Sequence, residues 1–78
     1  MSHSELDARR LLCPLPVIRA EQRIAGLAPG DTLDILCTDP GARYDIPAWC
    51  RMHGHEIVAT AQDENGELRV TVRVGAAS

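Results

Sequence analysis

The 78 residues predict one domain (1–78), an α/β (α+β) two-layer sandwich of order β-α-β-α-β-β: a four-stranded mixed sheet with two helices on one face. Three observations predict it. After Pro14, apolar residues recur at spacings of three and four, the period of a helix. Period-two alternation runs through 32–38, 56–61 and 68–74, the period of a half-buried strand. Turn signals at Pro29-Gly30-Asp31, Gly54 and Asn65-Gly66 separate these stretches.

Leu6-Asp7-Ala8-Arg9 alternates briefly and predicts a short first strand. From Pro14 to Leu27 a helix is expected, with Val17, Ala20, Ile24 and Leu27 on one face and Arg19, Gln22 and Arg23 on others. Pro14 and Pro16 fall in its first turn, where a missing N–H has no intrahelical partner to lose. Thr32 to Thr38 is the second strand, Leu33, Ile35 and Cys37 pointing one way and Asp34 and Leu36 the other. Asp39-Pro40-Gly41 and Asp45-Ile46-Pro47 each look like a helix start with an aspartate as N-cap. Because Pro47 disrupts a continuous helix, the expectation is a loose turn over 40–44 and a main helix over 45–53, stopped by Gly54. Glu56 to Ala61 is a strand, and Asp63-Glu64-Asn65-Gly66 carries the Asn-Gly hairpin signal. Leu68, Val70, Val72 and Val74 alternate with Arg69, Thr71 and Arg73 in a strand buried on one side. A frayed tail is expected over 75–78.

Hydrophobic residues make up 45% of the chain, enough for a packed core, but the only aromatics are Tyr44 and Trp49, so branched aliphatics must build it. The net charge of −3 speaks against direct nucleic-acid binding. All eight basic residues are arginine, which removes lysine chemistry such as Schiff-base formation. No apolar segment approaches the roughly 20 residues that span a bilayer. The first residues hold no basic stretch and no apolar run, so the expected location is the cytoplasm. Three cysteines, Cys13, Cys37 and Cys50, do not suggest a disulfide framework, and a reducing compartment keeps them free.

Cys13 stands at the start of the first helix. There the partial positive charge of the helix N-terminus favours thiolate over thiol, and Arg9, Arg10 and Arg19 add positive potential. Pro14 and Pro16 stiffen the turn and shape the site. The bland alternative is a structural cysteine, the commoner fate of a lone thiol. Cys37, on the inward parity of its strand, is read as core. Cys50 is read as structural, with an auxiliary thiol role left open. Cys50, His53 and His55 form a Cys-x2-His-x-His cluster, but a structural zinc needs four ligands and Gly54 points the histidines apart, so no metal is expected. No cofactor is expected either. Asp39 and Asp45 are better explained as N-caps than as an acid–base pair.

Cys13-Pro14-Leu15-Pro16, Pro29-Gly30-Asp31, Asp39-Pro40-Gly41-Ala42, Asp45-Ile46-Pro47-Ala48-Trp49-Cys50 and Gly54-His55-Glu56 resemble, in order and spacing, the TusA (SirA-like) sulfur-carrier family. The resemblance runs from about Leu6 to Val74. It departs from the family at Leu15, where some members carry Glu, and in a first helix without lysines. It implies the β-α-β-α-β-β sandwich and a sulfurtransferase-type carrier rather than a self-sufficient enzyme. By motif match, Cys13 receives sulfane sulfur as a persulfide and hands it to another protein. The implied donor is a cysteine desulfurase or a rhodanese. The implied acceptors are a TusBCD/DsrE-type or heterodisulfide-reductase-like protein, in tRNA thiolation, molybdenum-cofactor synthesis or dissimilatory sulfur oxidation. Arg9, Arg10 and Arg19 are candidates for docking. The alternative is a non-catalytic regulatory or interaction module on the same fold. A monomer acting through transient encounters is expected.

Overall fold

In the computed structural model, which describes residues 2–75, the expected element order is realised. β1 (His3–Ala8), α1 (Leu15–Ile24), β2 (Thr32–Cys37), α2 (Ala42–His53), β3 (Glu56–Gln62) and β4 (Leu68–Arg73) follow one another. The strands form one mixed sheet in the order β1-β2-β4-β3, with β1 parallel to β2 and the other neighbours antiparallel. Among the described residues no helix is long and apolar enough to cross a membrane.

Alternation gives the sheet two unlike faces. Leu6 lies beside Ile35 and Ile35 beside Val70; Ala8 lies beside Cys37 and Cys37 beside Leu68; Leu33 pairs with Val72. This face is closed by Pro16, Ala20 and Ile24 of α1 and by Ala42, Ile46 and Cys50 of α2, all buried. Each large aliphatic taken out of water here contributes about 1.5–3 kcal/mol. On the opposite face Asp34 accepts from the Thr71 hydroxyl and from Arg69, each at 2.6 Å, and lies 3.3 Å from the His3 ring. Desolvation alone would raise the Asp34 carboxyl, but the bonds from Thr71 and Arg69 outweigh it and hold it below its ordinary range. Arg69 and Arg73 stand on the solvated side of β4, as alternation requires.

Several expectations need correction. α1 starts at Leu15 with Pro14 as its N-cap, and it stops at Ile24. Its end is tightened by i→i−3 bonds from Gly26 to Arg23 (3.1 Å) and from Leu27 to Ile24 (2.9 Å), which keep Leu27 on the core without prolonging the helix. Pro16 is a core residue, while Val17 is only partly buried. α2 is continuous through Pro47 rather than starting at 45. A proline there costs about 3 kcal/mol. Ala42, Ile46 and Cys50, at i, i+4 and i+8, bury both halves of the helix and offset that cost. Gly41, not Asp39 or Asp45, is the N-cap of α2, and no side chain caps it. β1 runs from His3 rather than Leu6 and ends at Ala8. β3 is an edge strand whose register shifts between Ile57 and Ala59, so simple alternation fails along it. The tail is not free at Gly75, whose N–H donates to His55 Nδ1 at 3.0 Å; residues 76–78 lie outside the described residues.

Leu33→Ala is expected to lower stability by about 2–5 kcal/mol, read from the urea midpoint with an unchanged slope. His55 adds a pH dependence. Its ring stacks on Trp49 (5.1 Å between centroids), its Nδ1 accepts from Gly75, and desolvation followed by the charge of His53 lowers its pKa. The unfolded chain therefore binds this proton more readily. The contribution of His55 is present above about pH 6.5 and is lost as pH falls below that value. Urea midpoints measured from about pH 7.5 to about pH 5.5 are expected to fall, and to fall less in His55→Gln.

Candidate functional site

Parallel pairing decides where the site lies. β1 and β2 leave the sheet at the same end, with Ala8 opposite Cys37. Leu68 pairs with Cys37 and Gln62 with Leu68, so the β3–β4 hairpin opens there too. The C-terminal edge of parallel strands is where α/β sheets gather their chemistry. Here it collects Arg9, Arg10 and Cys13 from the first crossover and Thr38, Asp39 and Gly41 from the second.

Two bonds tie these crossovers together. The N–H of Arg10, a residue in the left-handed region (φ 69°), donates to Thr38 Oγ1 at 2.8 Å. The N–H of Cys13 donates to Asp39 Oδ2 at 2.9 Å. The Cys13–Pro14 peptide bond is cis. The Cys13 sulfur lies against the first residue of the α2 cap: a Cβ placed on Gly41 would stand 2.9 Å from Sγ and 3.2 Å from Asp39 Oδ2. Glycine at 41 is thus a matter of room rather than of backbone freedom, since its φ of −64° suits any residue.

The expected thiolate is not what this geometry favours. The carboxylates of Asp39 and Asp45, as acceptors that favour the neutral thiol, push the Cys13 pKa up to about 12, and desolvation and their charges act in the same direction. The thiol in turn holds the Asp39 carboxyl below its ordinary range, helped by the backbone N–H groups of Cys13 and Gly41. The helix N-terminus does not compensate, and the reason is the prolines. Pro14 and Pro16 have no N–H, and the N–H of Leu15 is already given to Leu12 O at 2.8 Å. Few free donors remain to carry the positive end of the dipole.

Asp39 and Asp45 are therefore the residues that sequence reasoning undervalued. The available signal was topological: loops that follow two neighbouring parallel strands must meet. The arginines do not supply the positive potential at the sulfur that was expected of them. Arg9 is engaged by Asp7 (2.8 Å) and Glu67 (3.5 Å), Arg10 contributes its backbone, and Arg19 stands exposed on α1; the strongest charges on the sulfur are both negative. Cys37 and Cys50 are fully buried, and burial pushes each thiol up to about 11. The rings of His53 and His55 lie 5.0 and 5.1 Å from that of Trp49, and among the described residues no three His, Cys, Asp or Glu side chains form a metal-holding group.

Cys13 is half-buried, and exposed apolar side chains surround it along the chain: Leu12 is 71% exposed, Leu15 42% and Ile18 41%. Two grooves, of about 360 and 480 Å³, open at this end of the sheet, but Cys13 lines neither. The thiol thus sits on a partly apolar surface rather than inside a substrate cavity. A titration of the thiolate absorbance is expected to show no ionisation of Cys13 between about pH 6 and about pH 9; a midpoint near the ordinary thiol value of about 8.5 would contradict the carboxylate contacts.

The family model described as sulfurtransferase TusA matches residues 4–74. The chain is similar to the sulfur carrier protein TusA of Pseudomonas aeruginosa, with 42% identity over 76 residues, 94% of this chain and 95% of that protein. It is similar also to the TusA of Pseudomonas syringae pv. syringae, with 44% identity over 61 residues, 78% of this chain and 73% of that one. Among solved structures, a SirA-like protein from Desulfitobacterium hafniense superposes with a TM-score of 0.82 at 26% identity, covering 92% of this chain and 97% of its own. Fold and these matches agree: the chain belongs to the TusA family of sulfur carriers.

Proposed function

We propose that this protein carries sulfane sulfur as a persulfide on Cys13 and passes it to a second protein. The observation that carries the proposal is a contrast among three thiols. Cys37 and Cys50 are sealed in the core, whereas Cys13 is within reach of solvent at the C-terminal edge of the parallel strands. The relatives named sulfur carrier proteins support the same role. No second thiol stands beside Cys13 to resolve a disulfide internally, which suits transfer between proteins rather than a closed cycle.

The donor is a cysteine desulfurase or a rhodanese, and the acceptor a TusBCD/DsrE-type or heterodisulfide-reductase-like protein. Such partners dock on the surface around the thiol. Leu12, Leu15 and Ile18 supply its apolar part, and Arg10 and Arg19, which form no salt bridge among the described residues, supply its charge. Pro16, buried in the core, and Pro14 hold the first turn of α1 against the sheet so that the sulfur keeps its place.

Incubation with a cysteine desulfurase and L-cysteine, followed by intact-mass measurement without reductant, is expected to add about 32 Da, one sulfur atom, to the wild-type chain. Cys13→Ser is expected to add none. An equal adduct on Cys13→Ser, or no adduct on wild type, rules the proposal out.

A further inference from the structure

We infer that Asp39 and Asp45 are positioning residues that make Cys13 a weak keeper of sulfur, tilting each exchange toward release. The inference rests on the persulfide reading of Cys13 and deepens it. Its ground is geometric. The Asp39 carboxylate accepts the Cys13 N–H at 2.9 Å, and its Oδ2 and the Cys13 sulfur crowd the same glycine. Asp45 stands exposed in the first turn of α2, and its carboxylate acts with that of Asp39 to push the Cys13 thiol up. Neither aspartate forms a salt bridge among the described residues, whereas Glu5, Asp7, Asp34, Glu56 and Glu67 all do. Their charge therefore falls on the thiol.

The exchange with a donor persulfide can be written in full. Cys13–SH and R–S–S⁻ give Cys13–S–S⁻ and R–SH. A bond forms between Cys13 Sγ and the sulfane sulfur, and the donor S–S bond breaks. The proton leaves Cys13 and ends on the departing thiolate. The sulfane sulfur keeps its oxidation level, so no oxidant or reductant enters. The two aspartates act on both sides of this equation with the same sign. On the empty side they accept a hydrogen bond from the neutral thiol. On the loaded side they face an anion and repel it. Asp39, held below the usual carboxylate range, is a poor base toward the thiol, so it serves as an acceptor rather than a general base. The other groups near the sulfur do not reverse the sign: no arginine is among the charges that move the thiol, Arg9 is held by Asp7 and Glu67, Arg10 and Arg19 stand exposed, and Cys37 is buried.

The test uses the full chain, with glutathione persulfide as sulfur donor and iodoacetamide as thiol probe. Asp39→Asn retains an oxygen that can accept the Cys13 N–H while losing the charge. Asp45→Asn lies at an exposed helical position, so it carries the test if the first variant folds poorly. Both are expected to alkylate at Cys13 about tenfold faster or more near pH 7.5, one pKa unit being a tenfold change in thiolate. Their rate-against-pH curves are expected to shift to lower pH. Both are also expected to hold a larger persulfide fraction at a given donor concentration. Asp45→Glu, which restores the charge, is expected to return toward wild type, as a purely structural role would not require. Alkylation rates and loaded fractions equal to or below wild type in both Asn variants would overturn the inference. Faster alkylation with no sulfur uptake by wild type or variants would instead overturn the carrier reading and leave the effect on the thiol standing.

Discussion

The parallel pairing of β1 with β2 is the constraint on which the rest depends. Antiparallel neighbours would send their C-terminal ends to opposite edges of the sheet. Parallel ones send them to the same edge, and the register that puts Ala8 beside Cys37 brings the two crossovers within hydrogen-bonding distance. The Arg10–Thr38 and Cys13–Asp39 bonds follow, and so does the contact of the sulfur with Gly41. The pairing is itself held by the core, because Ala8, Cys37 and Ala42, all fully buried, lie directly beneath the site. A register slip of one residue would turn Leu33, Ile35 and Cys37 to the solvent face and separate the two loops at the same stroke.

The Cys-Pro-x-Pro turn acquires a different meaning in this setting. A proline at the first turn of a helix is usually read as a harmless saving of an unused N–H. Beside a cysteine those N–H groups would not be unused, since they would stabilise a thiolate. Pro14 and Pro16 remove two of them, and the Leu15 N–H turns back to Leu12. The motif gives a rigid, well-placed sulfur and withholds activation from it. Two carboxylates complete the effect. A reactive thiolate on a partly exposed surface would be open to oxidation and to disulfide formation with any passing thiol; a hydrogen-bonded thiol is not, and its chemistry waits for a partner.

Most of the fold was legible because its signals are local and strong. Alternation in Leu33-Asp34-Ile35 and in Leu68 to Val74, helical spacing in Ala20 and Ile24, and the Asn65-Gly66 turn each specify one element without reference to the others. The failures share a cause. Pro47 looked like a boundary because the local cost of proline is visible in sequence, while the burial of Ala42, Ile46 and Cys50 that offsets it is tertiary. Asp39 looked like an N-cap because Asp-Pro-Gly is a helix-start pattern, yet its carboxylate turns to Cys13, far away in sequence and adjacent only through the sheet. The place of Cys13 before the first helix was legible in sequence, but the sign of the effect on its sulfur was not. That sign is set by Asp39 and Asp45, and local motif reading had spent both on capping.

A carrier has a requirement that an enzyme does not: it must bind its cargo covalently and yet part with it at each encounter. Tight activation of the thiol would serve loading and hinder release. A site that stabilises the empty, protonated thiol lowers the free energy of the empty form relative to the loaded one, so release to an acceptor whose thiolate is better supported is favoured. The short chain suits this arrangement. Cys13 lines neither groove and has exposed Leu12, Leu15 and Ile18 beside it, so on the proposed reading the surface that meets a partner and the atom that holds the sulfur are contiguous. The carrier needs to supply only position and a reluctance to keep what it holds.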